Sequence, residues 1–215
     1  MVLQEKITNI VIAGAGGQGN LFASRVLAQA AMNMGLEVKV AESYGVAQRG
    51  GSVYSQVRFG PGEFGPLVPA HHADAILGLE PLEALRLALD FVCPATVVVT
   101  NTHAVAPVQG KSNALSYPTQ ESFKEYYQRI RVRDVFEIDA VSLAQDLGDA
   151  KAANMIMVGG LIGSDAIPLS LQDVCEAVVA LSPNEALQKQ NVAALTSGFE
   201  TTRTQRMNVR SVESC

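Results

Sequence analysis

The apolar positions fall into short β-branched runs that alternate with stretches of helical spacing. Ile7 to Ala13 is a compact apolar run that stops at Gly14-Ala15-Gly16-Gly17-Gln18-Gly19, which predicts a buried strand ending in a glycine turn. Leu21, Ala23, Val26, Leu27, Ala30 and Ala31 then recur every three or four residues until Gly35, the signature of a helix with a glycine stop. Leu36 to Glu42 reads as a second strand. Strand, turn, helix and strand together predict a right-handed parallel unit.

Ser43 to Gly51 is a polar, glycine-punctuated loop, and Ser52 to Arg58 alternates like a strand. Phe59 to Pro69 is dense in glycine and proline and predicts a loop. Further on, Ala73–Leu79, Ala95–Thr100 and Val135–Asp139 read as strands, and Pro81–Leu89 and Pro118–Ile130 as helices. Helical patterns follow at Val141–Leu147, Ala152–Gly163, Leu169–Leu181 and Asn184–Thr196. The expectation is one α/β domain over residues 1–200, with a mostly parallel sheet, flanking helices, a Rossmann-like start and a helical C-terminal portion. Residues 201–215 are expected to form a polar, loose tail.

Composition narrows the field. The 215 residues are 48% hydrophobic and 17% charged, enough apolar material for a sizeable core. The charged fraction is below the roughly 25% of an average chain, which suggests that some surface is subunit interface. Sixteen basic against 21 acidic residues leave a net charge of -5, no footprint for nucleic acid or an anionic membrane. The expected partners therefore include neither. No apolar stretch approaches about 18 residues and no signal-type leader is legible, so a cytoplasmic location is the expectation.

The hexad Gly14 to Gly19 fits GxGxxG at the mouth of a helix, where backbone amides favour an anion. Glu42 stands at the end of the second strand, where a dinucleotide-binding acid would bond a ribose hydroxyl. Three readings stay open at this point: a nicotinamide or flavin dinucleotide, another phosphate-bearing ligand, or a structural tight turn. Gln48-Arg49-Gly50-Gly51-Ser52 is poor strand and poor helix material. A recognition loop is the preferred account, with Arg49 forking onto a phosphate or carboxylate beside the Gly50 and Gly51 amides. A wide turn with Arg49 salt-bridged at the surface is the alternative; Arg58, at the end of the alternating strand, either joins Arg49 or, the preferred reading, is solvated.

Other residue types offer less. Cys93, Cys175 and Cys215 make no CxxC pair, and adjacent His71 and His72 face opposite sides while His103 is distant in sequence, so no metal or iron–sulfur ligand set is expected. No serine elbow or cysteine–base pair offers a nucleophile, and no catalytic residue is expected. Glu80 and Glu83 around Pro81 read equally well as flanking a site or as a solvated helix N-terminus whose dipole they offset, and Asn154 and Asn191 fit caps or helix-to-loop contacts.

Taken together, Gly14-Ala15-Gly16-Gly17-Gln18-Gly19 and Gln48-Arg49-Gly50-Gly51-Ser52-Val53 resemble the paired words of the gamma subunit of 2-oxoacid:ferredoxin oxidoreductases. Ala73 to Arg86, Asn154 to Gly159, and Asn191 to Leu195 with Gly198 are similar to that family's later segments, so the resemblance spans residues 6 to about 198. Leu79-Glu80-Pro81-Leu82-Glu83-Ala84 is most similar to the indolepyruvate branch, in which the equivalent chain pairs with one large subunit. Where many relatives carry His and Met, this chain has Tyr44 and Val46.

The resemblance implies a complex that oxidatively decarboxylates a 2-oxoacid to an acyl-CoA, using thiamine diphosphate, Mg2+, iron–sulfur clusters and coenzyme A, with ferredoxin as electron acceptor. Thiamine-binding and ferredoxin-like chains would carry the cofactors. This chain alone would be inactive and bind none of them, sitting beside the thiamine site and touching coenzyme A through Gly14, Gly16, Gly17, Gln18, Gly19, Gln48, Arg49, Gly50 and Gly51. The rivals are a free-standing NAD(P)-dependent dehydrogenase and a scaffold subunit that binds no ligand.

Overall fold

The computed structural model describes residues 6–44, 51–104 and 117–213. Their strands are β1 (Thr8–Ala15), β2 (Glu37–Tyr44), β3 (Ser52–Gly60), β4 (Ala73–Gly78), β5 (Val92–Asn101) and β6 (Asp134–Ile138). The helices are α1 (Asn20–Asn33), α2 (Pro81–Phe91), α3 (Gln120–Ile130), α4 (Ala140–Asp146), α5 (Ala153–Gly163), α6 (Leu171–Leu181) and α7 (Glu185–Glu213).

One six-stranded sheet has the order β2-β3-β1-β4-β5-β6. Strands β1, β4, β5 and β6 pair in parallel, whereas β3 is antiparallel to both β1 and β2. The sheet is thus mostly parallel, as the alternation of strands and helices implies. β1 and β2 run in the same direction but do not touch, because β3 lies between them. Alternation identifies strands, not neighbours, so this insertion is invisible in the pattern.

The two sheet faces sort by residue parity. Ile10, Ile12, Val57, Phe59, Leu77 and Val99 point into a core closed by α1 and α4 to α7. Val11, Ala13, Ile76 and Val98 point to the other side, against Ala84, Leu85 and Ala88 of α2 and Phe123 of α3. Helix ends follow the expected chemistry. Gly35 (φ 78°) terminates α1, Pro81 opens α2 behind the Glu80 cap, and Ser170 and Asp173 form a reciprocal capping box on α6.

Two parts of the chain depart from expectation. Residues 201–213 continue α7 and are not a loose tail. The cause is tertiary: Thr202 is fully buried, Gln205 donates to the Glu137 carbonyl at 2.8 Å, and Arg206 meets Asp165 at 2.8 Å. Arg58 is buried and not solvated. Its guanidinium donates to Asn9 Oδ1 (2.8 Å) and to the carbonyls of Gly65 (2.7 Å) and Leu67 (2.9 Å), strapping the 61–69 segment over β3.

Helices α5 and α7 cross with backbones almost in contact. A Cβ on Gly159 would lie 1.9 Å from the Leu195 carbonyl oxygen, one on Gly163 2.4 Å from that of Phe199, and one on Gly198 1.8 Å from that of Ile156. Glycine is required at this crossing by space, not by dihedral angle.

Candidate functional site

In an open α/β sheet, ligands bind at the carboxyl ends of strands where the winding reverses. Here α1 leaves β1 on one face, while α2 follows neighbouring β4 on the other. The crevice between the ends of β1 and β4 is that position, and the glycine hexad lies over it.

Each hexad residue has a distinct geometry. Gly14 is in β1, where a Cβ would strike Asn20 Oδ1 at 2.6 Å and Leu79 Cβ at 3.2 Å. The Gly16 amide donates to the Gly51 carbonyl at 2.9 Å. Gly17 (φ 100°) is exposed and faces open space. Gly19 (φ 84°) precedes α1 so closely to Asn154 that a Cβ would sit 2.2 Å from its Nδ2. Gln18 does not point outward. Its Oε1 accepts from the Ala15 amide (2.7 Å) and its Nε2 donates to the Leu79 carbonyl (3.2 Å), so this side chain stitches the end of β1 to that of β4.

The stitching continues along the strand ends. Asn101, 4% exposed, donates to the same Leu79 carbonyl at 3.2 Å and accepts from the amides of His103 and Ala140. Glu80, 2% exposed, caps α2 by accepting from the Glu83 amide at 2.8 Å and accepts a short bond from the Tyr117 hydroxyl. Burial and the Glu80 charge push the Tyr117 phenol well above its ordinary value of 10.0. Asp139 caps α4, and its bonds from Ser142 hold its carboxyl below the usual range.

Two cavities flank this edge. One, of about 450 Å³, lies on the α1/α5 face between Gly17, Gln18 and Gly19 on one side and His103, Lys151 and Asn154 on the other. The N-terminus of α1 opens toward it with no side-chain cap and no acid in its first turn. The second, of about 560 Å³, lies on the α2/α3 face.

The residues expected to act together are partly assembled. Ala15 of β1 pairs with Ser52 of β3, which sets Gly51 against Gly16 and so joins the second glycine word to the hexad. Gln48, Arg49 and Gly50 lie outside the described residues, so only Gly51 of that word is placed. Glu42 pairs with Ser55, and Ser55 pairs with Ile12, so Glu42 stands two strand spacings, roughly 9.5 Å, from β1. The acid of a dinucleotide site sits on the strand next to β1, so the insertion of β3 removes the geometry behind the dehydrogenase alternative.

His71 bonds the Val92 carbonyl and His72 that of Ala70. Among the described residues no group of three or more His, Cys, Asp or Glu side chains could hold a metal. Asn154 makes the expected helix-to-loop contact, donating to the Gly19 carbonyl at 3.4 Å, and Asn191 bonds Ser182. Asn101, Lys151, Tyr117 and Tyr127 escaped the sequence reading. The one available signal was for Asn101, a polar residue closing the apolar run of β5.

The chain is a doubly wound α/β domain with an antiparallel strand wedged beside β1 and a glycine loop stitched by its own glutamine, an arrangement that differs from the adjacent parallel β1 and β2 of nicotinamide dehydrogenases. The chain belongs to the pyruvate ferredoxin/flavodoxin oxidoreductase family, whose model matches residues 9–201. It is 37% identical over 179 residues to the indolepyruvate oxidoreductase subunit IorB of Pyrococcus horikoshii, covering 83% of this chain and 88% of the relative. The IorB subunit of Archaeoglobus fulgidus is 37% identical over 191 residues, 89% and 93% of the two chains.

Among solved structures, the chain resembles the pyruvate oxidoreductase subunit PORC of Thermotoga maritima, with a TM-score of 0.67, 20% identity and coverage of 92% and 97%. It also resembles part of the 2-oxoglutarate:ferredoxin oxidoreductase of Magnetococcus marinus, solved with 2-oxoglutarate, coenzyme A and succinyl-CoA bound (TM-score 0.68, 20% identity, 94% of this chain and 32% of that one). The fold and the relatives thus agree on a subunit of a 2-oxoacid oxidoreductase. No described helix is long and apolar enough to cross a membrane.

Proposed function

We propose that this chain is the small subunit of an indolepyruvate-type 2-oxoacid:acceptor oxidoreductase, and that its glycine-loop cavity holds the phosphate-bearing end of coenzyme A. The 37% identity to IorB subunits over more than four fifths of the chain supports the first part. The reaction converts a 2-oxoacid, coenzyme A and an oxidised acceptor into an acyl-CoA, carbon dioxide and the reduced acceptor. Thiamine diphosphate with Mg2+ and the iron–sulfur clusters are assigned to other chains; among the described residues no group of three or more His, Cys, Asp or Glu side chains is available to ligate a cluster. A larger partner chain would supply those groups, with ferredoxin the acceptor.

The single observation behind the second part is the uncapped α1 N-terminus facing a cavity that also carries Lys151 and His103. Backbone amides and a mobile ammonium suit phosphate oxygens. Gln18 and Asn154 fix the loop, Gly17 lets a ligand approach the backbone, and Gln48, Arg49 and Gly50, which precede Gly51 in sequence, would complete the anion surface.

The test is co-expression with the candidate large subunit. Co-purification and acceptor reduction with indolepyruvate, exceeding that with pyruvate or 2-oxoglutarate, are expected. Lys151→Ala should raise the KM for coenzyme A about 5-fold to 10-fold with assembly unchanged. Failure to assemble, or NAD-dependent turnover by this chain alone, would overturn the subunit assignment. An unaltered KM in Lys151→Ala would overturn the coenzyme A assignment.

A further inference from the structure

The two outer strands of the sheet differ in what covers them. Along β6 successive carbonyls point to opposite sides. That of Ile138 turns inward and accepts from the Thr102 amide at 2.9 Å, so the Glu137 carbonyl points away from the sheet. Gln205 of α7 donates to it at 2.8 Å, and α7 packs along this strand. The chain's own last helix thus guards the β6 edge. At the other margin β2 pairs with β3, and among the described residues no strand pairs with its outer side. Such an edge is a template for another strand.

β2 lacks the usual defences of a free edge. It is eight residues long, contains no proline and pairs with β3 without a bulge. Leu36, just before it, packs with Val38 at the rim of the core on the α1 face. Val40 follows on that face and is exposed, as are Met32 and Met34 at the end of α1. The opposite face of the strand carries two charges, Glu37 and Lys39, which meet at 2.6 Å and are both about half exposed. The low charged fraction of the chain, 17%, agrees with a surface that is covered by protein.

The sequence of β2 specifies which strand fits. Two copies pairing antiparallel about a two-fold axis keep each residue on its own face, so every residue opposes one of the same parity and the axis passes beside a single residue. Centres at Lys39 or Glu42 set like charges opposite each other. Centres at Val40 or Ala41 set each charge opposite an uncharged residue. The centre at Val38 pairs unlike charges: Glu37 opposes the partner's Lys39, and Lys39 opposes the partner's Glu37. Each carboxylate then has an ammonium on its own strand and another across the edge. On the α1 face the same register sets Val38 against its own copy and Leu36 against the partner's Val40.

We infer that the outer edge of β2 docks a second copy of this chain, antiparallel and centred on Val38, so that two six-stranded sheets become one continuous sheet. The contact uses the beginning of β2. Tyr44, at its end, pairs with Val53 beside the glycine loop, so the dimer contact lies at the opposite end of the strands and leaves the glycine-loop cavity clear. The inference concerns the chain by itself and does not rest on the subunit reading.

The test is analytical ultracentrifugation of the full chain with charge-reversal variants. The wild type should form dimers with a micromolar dissociation constant, and hydrogen exchange of the amides in 36–40 should slow as concentration rises. Lys39→Glu and Glu37→Lys each turn two attractive cross-strand pairs into two repulsive ones and should weaken self-association roughly 10-fold to 100-fold. Both positions are exposed, and circular dichroism melts would establish that each variant is folded. Mixing the two variants restores unlike charges across the edge, so a mixed dimer of near wild-type affinity should form, read from a fluorescent label on one of them.

A wild-type chain that stays monomeric at roughly 100 μM would overturn the inference. So would dimers indifferent to both reversals, a mixture no tighter than either variant alone, or concentration-dependent protection confined to another segment. Reversals that weaken assembly with the large subunit, while the chain by itself remains monomeric, would replace the second copy by that subunit as the occupant of the edge.

Discussion

Replacing Gly198 by alanine sets two physical effects against each other. Helix propensity favours the change: alanine in a helix interior is better than glycine by about 1 kcal/mol. Packing opposes it. The new methyl carbon would lie 1.8 Å from the Ile156 carbonyl oxygen, 2.7 Å from its carbon and 3.0 Å from the Gly160 nitrogen. Reaching an ordinary contact of roughly 3.2 Å would require α5 and α7 to separate by more than 1 Å.

All three of those atoms are backbone, so no rotamer change relieves the clash. Gly159 and Gly163 are pressed against α7 in the same way, and the separation would open the whole seam. Overpacking of this kind costs about 1–3 kcal/mol and occasionally more, and the rigid neighbours place Gly198 at or above the top of that range. The net expectation is a loss of about 2–3 kcal/mol, or roughly 4–12 °C in melting temperature for a chain of this length. Thermal and urea denaturation of the full chain, followed by circular dichroism with an unchanged m-value, would measure it. A melting temperature equal to or above the wild type would refute the argument, since propensity alone predicts a rise.

Three further outcomes are expected. Gly19→Ala forces a side chain into positive φ and against Asn154, so it should cost about 1–3 kcal/mol in a melt and, in the assembled enzyme, raise the KM for coenzyme A. Arg58→Ala orphans the Gly65 and Leu67 carbonyls and should cost about 2–4 kcal/mol, with limited proteolysis now cutting within 61–69; an intact strap would refute the role given to Arg58. The folded Tyr117 and Tyr127 phenols are raised above their ordinary 10.0, so the unfolded chain loses those protons first. Stability should therefore be full below pH 10 and fall as pH rises beyond it, less so in Tyr117→Phe, as urea midpoints across that range would show.

Segments with an apolar run or an apolar face were legible in the sequence: β1 with its glycine turn, β4 and β5 are buried on both sides of the sheet, and α2 buries one face. Capping was legible for the same local reason at Glu80. Three features were not. The place of β3 in the sheet depends on pairing partners, to which an alternating pattern is indifferent. The extension of α7 runs through Thr201, Thr202 and Thr204, poor helix formers that are held in place by the burial of Thr202 and by the bonds of Gln205 and Arg206. Arg58 closes the alternating run Ser52–Arg58 as a solvated residue would, and the fold-back of 61–69 over β3 buries it. At the site, the hexad was legible as a backbone device. The cross-strand roles of Gln18 and Asn101 were not, since their partners lie 22 to 61 residues away.

The wedged β3 also constrains the order in which the chain acquires its structure. In a simple βαβ arrangement the first two strands dock on each other as soon as both have been synthesised. Here β1 and β2 have no ladder in common, and the seat between them stays empty until residues 52–60 arrive. The β2–β3 pairing is local in sequence and its ends close readily, so this ribbon is expected to form first and then add edgewise to β1 as a unit. Until that happens β1 is bare on both flanks, because its other neighbour, β4, is synthesised later still, so a chain halted before β3 presents unpaired apolar edges to its surroundings.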